Sequence, residues 1–65
     1  MNKMIARRVS KRSTQAMISG LRAAKLTVTR DGGGMYTCKL DGATLFAAMP
    51  GRRDYLIRMR ADLFS

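Results

Sequence analysis

Asp41-Gly42 stands between two alternating runs, MYTCKL and ATLFAAM, and constrains this chain more than any other feature. A two-residue type I′ hairpin needs positive φ at both central positions, and Asp-Gly supplies it. Unbroken alternation from that turn pairs Leu40 with Ala43, Lys39 with Thr44, Cys38 with Leu45, Thr37 with Phe46 and Tyr36 with Ala47. On that register Tyr36, Cys38 and Leu45 point inward, while Phe46 lies on the polar outer face. An aromatic among threonines and cations is the feature that asks for a function.

The neighbouring segments extend the sheet. Leu26–Arg30 (LTVTR) alternates and is β-branched, as strands prefer. Face parity pairs Val28 with Cys38, across a glycine-rich loop from Asp31 to Met35. After Pro50-Gly51-Arg52-Arg53-Asp54, YLIRMR reads as strand or helix. We take strand, because Tyr55, Ile57 and Met59 then join the inner face opposite Met49, Ala47 and Leu45. Leu63 and Phe64 are expected to dock on the core.

Residues 14–25 have helical spacing, with Met17, Leu21 and Ala24 on one stripe, Ile18 on its flank, and Ser13 or Thr14 as the cap. Ile5 and Val9 do not share that stripe, and Arg7/Lys11 and Arg8/Arg12 are like-charge i, i+4 pairs. Residues 1–12 therefore read as a basic arm, mobile or helical once neutralised, preceding a single small domain over residues 13–65. The expected fold class is α+β: an N-terminal helix packed on an antiparallel meander of three to four strands.

Charge narrows the function. The chain has 13 Lys and Arg against four acids, a net charge of +9. Residues 1–30 hold eight of the cations and no acid. A single-sign block seeks a polyanion: nucleic acid, an anionic membrane surface or an acidic protein. Chain length adds to this, since 65 residues rarely yield more than roughly 3–5 kcal/mol from one core, so stabilisation by a partner, including a homodimer, is a live option.

Other classes are poorly supplied. With no His and no Glu, the usual activation of a Ser or Cys nucleophile is missing, and one Cys with scattered Asp makes no zinc site. The expectation is a non-enzyme without cofactor or metal. Asp31-Gly-Gly-Gly lacks the spacing of a phosphate loop. A lone Cys38 fits a reducing cytoplasm, no apolar run is long enough for a membrane span, and no apolar h-region follows the basic start. The acid-free, Arg-rich first 26 residues resemble a mitochondrial presequence, but its removal would leave too little chain for a core.

The expected site follows from these readings. Arg7, Arg8, Lys11 and Arg12 of the arm contact phosphates; Lys39, Arg58 and Arg60 continue the track across the sheet; Phe46 stacks an unpaired base; Arg52 and Arg53 form a second cationic point in the PGRRD loop. The first reading is thus a small non-enzymatic protein that binds DNA or RNA. The alternative is a small phage-type inhibitor or adaptor that binds an acidic or nucleic-acid-handling host protein, such as a defence or CRISPR component. A third use of the same face is a dimer contact centred on Phe46 and Leu56. The α-β-β-β order resembles that of double-stranded-RNA-binding domains, should residues 54–64 be helical. Those domains carry a lysine cluster at the start of the last helix, where this chain has only Arg52 and Arg53, so we do not assign it there.

Overall fold

The Asp-Gly turn forms as its chemistry requires. Asp41 has φ 53° and Gly42 φ 80°, and the first two rungs above it are Leu40 opposite Ala43 and Lys39 opposite Thr44. The computed structural model describes residues 3–64, without the side chains of residues 63 and 64, so the expected docking of Leu63 and Phe64 lies outside the described side chains. The elements in order are β1 (Met4–Ser10), α1 (Lys11–Ala23), β2 (Val28–Arg30), β3 (Tyr36–Leu40), β4 (Ala43–Pro50), β5 (Asp54–Arg60) and a 3-10 turn (Ala61–Phe64).

The fold class is α+β, with one α-helix on a five-stranded antiparallel sheet of order β1-β5-β4-β3-β2. The expected four-stranded meander is present as β2 to β5, and Val28 pairs with Cys38 as expected. A fifth strand is added, and it comes first in the chain. Residues 4–10 are neither a mobile arm nor a helix: β1 pairs along its whole length with β5, from Met4 opposite Arg60 to Ser10 opposite Asp54. The physical reason is the alternation of Ile5 and Val9, both half-buried opposite Met59 and Tyr55. Two β-branched residues at i and i+4 suit a strand face as well as a helix stripe. The domain therefore includes the segment read as its arm, and α1 runs from one sheet edge to the other.

Ser10 ends β1 and caps α1. Its hydroxyl accepts from the Ser13 amide at 3.2 Å, and its carbonyl accepts from the Thr14 hydroxyl at 2.9 Å. The cap is thus Ser10, rather than Ser13 or Thr14, and the helix begins three residues earlier than expected. Its buried stripe is Thr14 and Ile18, flanked by half-buried Met17 and Leu21, while Ala24 is exposed. At the other end Lys25 adopts φ 69°, with its amide bonded to the Arg22 carbonyl and the Leu26 amide bonded to the Leu21 carbonyl. This is a complete Schellman closure with lysine where glycine is usual.

The largest departure lies in β4. Beyond Lys39–Thr44 the register slips, and Cys38 faces Phe46 rather than Leu45. Leu45 is the extra residue of a β-bulge, and both Leu45 and Phe46 turn inward. Phe46 is 0% exposed, which corrects its expected place on the outer face. The same slip carries into β5, where Phe46, Ala48 and Pro50 face Met59, Ile57 and Tyr55. Burial decides the outcome: turning a phenylalanine inward gains about 1.5–3 kcal/mol, more than one disrupted ladder position costs. Phe46, Ile57, Ile18, Cys38, Ala48, Val28 and Leu45 form the core under α1.

Candidate functional site

The β1–β5 register gathers charge. Ser10 faces Asp54, so the chain runs from that rung into Lys11-Arg12 on one side and back into Arg53-Arg52 on the other. Two basic segments far apart in sequence thus share one end of the sheet. All four of these side chains are exposed. Arg8 stands two rungs inward and holds Asp54 at 3.5 Å.

Arg30 belongs to the same end and is absent from the expected site. A side chain on Gly34 would lie 3.5 Å from Pro50 and 3.7 Å from the Arg30 guanidinium, so the β2–β3 and β4–β5 loops are neighbours. Arg30 also sits 5.6 Å above the Tyr36 ring. No spacing rule identifies it, because its membership depends on two loops meeting.

The acids here are already engaged. Asp54 faces Arg8, and the Asp31 carboxylate accepts from the backbone amides of Gly33 at 2.9 Å and Met35 at 3.0 Å. The first turn of α1 contains no acid, and Lys11 and Arg12 stand at its positive end. Each cation there opposes the helix dipole, typically by about 0.3–1 kcal/mol. An arrangement that sacrifices stability in this way raises the local positive potential.

The remaining expected residues do not join this end. Arg7 is exposed on the opposite face of β1 from Arg8, alongside Ile5 and Val9. Arg60 makes a two-pronged contact with Asp62, at 3.1 and 2.6 Å, which raises the pKa of Arg60 and lowers that of Asp62. That engagement removes Arg60 from a continuous track. Phe46 lies in the core, and Tyr55 is buried too. Tyr36 is half-buried, its ring centroid 6.1 Å from that of Tyr55. No fully exposed aromatic ring is therefore present among the described residues, and stacking on the sheet is removed from the expected mechanism.

The sheet face away from α1 has a different character. Lys39 stands with Thr27, Thr29 and Thr37 at one side. The middle is apolar: a trough of about 350 Å³ is lined by Met4, Met35, Thr44, Ala47, Met49, Leu56 and Arg58. Arg58 is exposed and lies between Ala6 and Ala47 in register, so small neighbours leave its guanidinium standing clear. Leu56 and Arg58 are expected on this face from strand alternation, whereas Met4 enters it with strand β1, Met35 from the loop before β3 and Met49 through the shifted register.

Among the described residues, no group of three or more His, Cys, Asp or Glu is placed to hold a metal ion, and no helix is long and apolar enough to cross a membrane. No protein-family model, curated protein or solved structure matches this chain.

Proposed function

We propose that this protein is a non-enzymatic nucleic-acid-binding module that grips the phosphate backbone at the Ser10–Asp54 end of its sheet. The observation that carries this reading is the β1–β5 register, whose Ser10–Asp54 rung brings the segments bearing Lys11-Arg12 and Arg52-Arg53 to one end of the sheet. Arg8 and Arg30 extend the patch. Cations set against the helix dipole, with nearby acids already engaged, favour an external anion. Backbone contact without a fully exposed aromatic ring among the described residues favours duplex or structured nucleic acid over unpaired bases, because single-strand binders gain much of their affinity from stacking.

The test is fluorescence anisotropy with labelled duplex DNA, duplex RNA and single strands, each titrated at several salt concentrations. The expected result is submicromolar duplex binding near physiological salt, with log affinity falling by about 0.9 per log salt for each phosphate neutralised. Arg52→Ala with Arg53→Ala, and separately Lys11→Ala with Arg12→Ala, should each flatten that slope by about 1–2. Weak binding that collapses equally for every substrate, or variants that leave the slope unchanged, would overturn the reading.

The second reading, a small inhibitor or adaptor that binds an acidic or nucleic-acid-handling protein, is favoured by a separate observation. The uncovered sheet face has an apolar centre, which a phosphate backbone does not require.

A further inference from the structure

We propose that the trough across the uncovered sheet face docks an amphipathic helix of a partner protein, whose apolar stripe is flanked by Asp and Glu. The proposal rests on the second reading above and uses a different surface from the phosphate-binding end.

Shape is the first argument. The trough runs diagonally from Met4 on β1, over β5 and β4, to Met35 just before β3. Three strand spacings of about 4.8 Å give that run a reach of about 14 Å across the sheet. At about 1.5 Å of rise per residue, roughly nine helical residues, or about two and a half turns, cover it. The floor holds Ala47, and the margins hold Met4, Met35 and Met49. A small residue in the middle and flexible thioethers at the margins form a surface that adapts to a bulky apolar stripe. Met49 is 53% exposed and Met4 37%, so no described residue of this chain covers these side chains.

Charge chooses the occupant. Arg58 rises from the trough and has no ion-pair partner among the described residues. Lys39 points from the same face at one side. An apolar stripe flanked by carboxylates satisfies Arg58 and Lys39 while covering the methionines. A second copy of this chain does not: a two-fold pairing of this face sets Arg58 near Arg58 and one +9 chain against another. Nucleic acid could neutralise the cations but would leave the methionines unused.

The experiment uses the full chain with labelled methionine methyl groups and three synthetic 20-residue peptides. One carries a Leu stripe flanked by Glu, one the same stripe flanked by Lys, and one the acidic composition in scrambled order. The acidic amphipathic peptide should bind at least tenfold more tightly than either control and shift the Met35 and Met49 methyl signals. Met49→Ser, at an exposed position, should weaken that binding at least fivefold. Met35→Ser with Met49→Ser should weaken it further, while duplex DNA binding stays within twofold. Equal binding of the scrambled peptide would reduce the effect to bulk charge and overturn the proposal. So would methyl shifts caused by duplex DNA, or by self-association in the ultracentrifuge without peptide. The phosphate-binding reading is judged separately, by the Arg52 and Arg53 variants on duplex DNA.

Discussion

Phe46 faces Cys38 across the β3–β4 ladder, one residue out of step with the hairpin turn that ends four residues before it. The displacement turns the most suggestive surface residue of the sequence into the largest fully buried side chain of the core. Phe46→Ala should therefore act on stability. Removing a buried phenylalanine costs about 3–5 kcal/mol, comparable to all the stability a chain of this size commonly has. Urea denaturation followed by circular dichroism should show a largely unfolded variant at 25 °C. A folded variant with weakened nucleic-acid binding would instead restore Phe46 to the surface.

The helix carries two removable strains. Lys25 sits at φ 69°, where a side chain is disfavoured, and a Cβ on Gly20 would meet nothing within 4 Å. Lys25→Gly should stabilise by about 0.5–1 kcal/mol, and Gly20→Ala by up to about 1 kcal/mol. In a domain of this length each kcal/mol raises Tm by about 4–8 °C, readable in a thermal melt. A fall in Tm for Lys25→Gly would show that the lysine contributes more than its backbone conformation costs.

Cys38 is fully buried, and desolvation pushes its thiol pKa up. The folded state therefore holds its proton at a pH where the unfolded thiol has lost it. Stability is unaffected below the unfolded pKa of about 8.5 and declines as pH rises above it toward the folded value. Cys38→Ala should lack that component of the alkaline decline, measured as urea midpoints between pH 7.5 and 10. The native thiol should also react with an aromatic disulfide reagent only as fast as the protein opens.

Asp54 restrains Arg8 at 3.5 Å, with the Arg8 side chain 71% exposed. A pair this open to water contributes about 0–1 kcal/mol, so Asp54→Asn should leave the fold standing. It should tighten duplex binding and steepen the salt slope by up to about 1, because one more cation becomes available to phosphate. Anisotropy at three salt concentrations measures both. Weaker binding would mean that Asp54 positions Arg8 for its contact.

The parts legible in the sequence are those set by neighbours. The Asp41-Gly42 turn, the strand nature of YLIRMR and the pairing of Val28 with Cys38 all follow from local conformation or face parity. The bulge at Leu45 carries no such mark. No glycine announces it, and only the competition to bury Phe46 produces it. Strand β1 was obscured because Ile5 and Val9 satisfy both periods, and the arginines between them suggested a solvated arm. For the candidate site, the cations themselves were plain. Their union was not, since the segments bearing Lys11 and Arg53 share one sheet end through a pairing between the two ends of the domain.

That pairing also orders events in time. The β2–β5 meander closes through contacts between successive strands, the kind that form quickly. Strand β1 leaves the ribosome before any of them, yet its ladder partner among the described residues is β5. It must wait, unpaired and carrying Arg7 and Arg8, until Arg60 has been made. For that interval the nascent chain has a basic segment without a ladder. Docking of β1 is then the late step that finishes the sheet and creates the cationic end in the same motion. Unfolding from the β1 edge would dismantle both together, so a ligand bound across Lys11, Arg12, Arg52 and Arg53 should slow the chain's opening as well as shift its equilibrium.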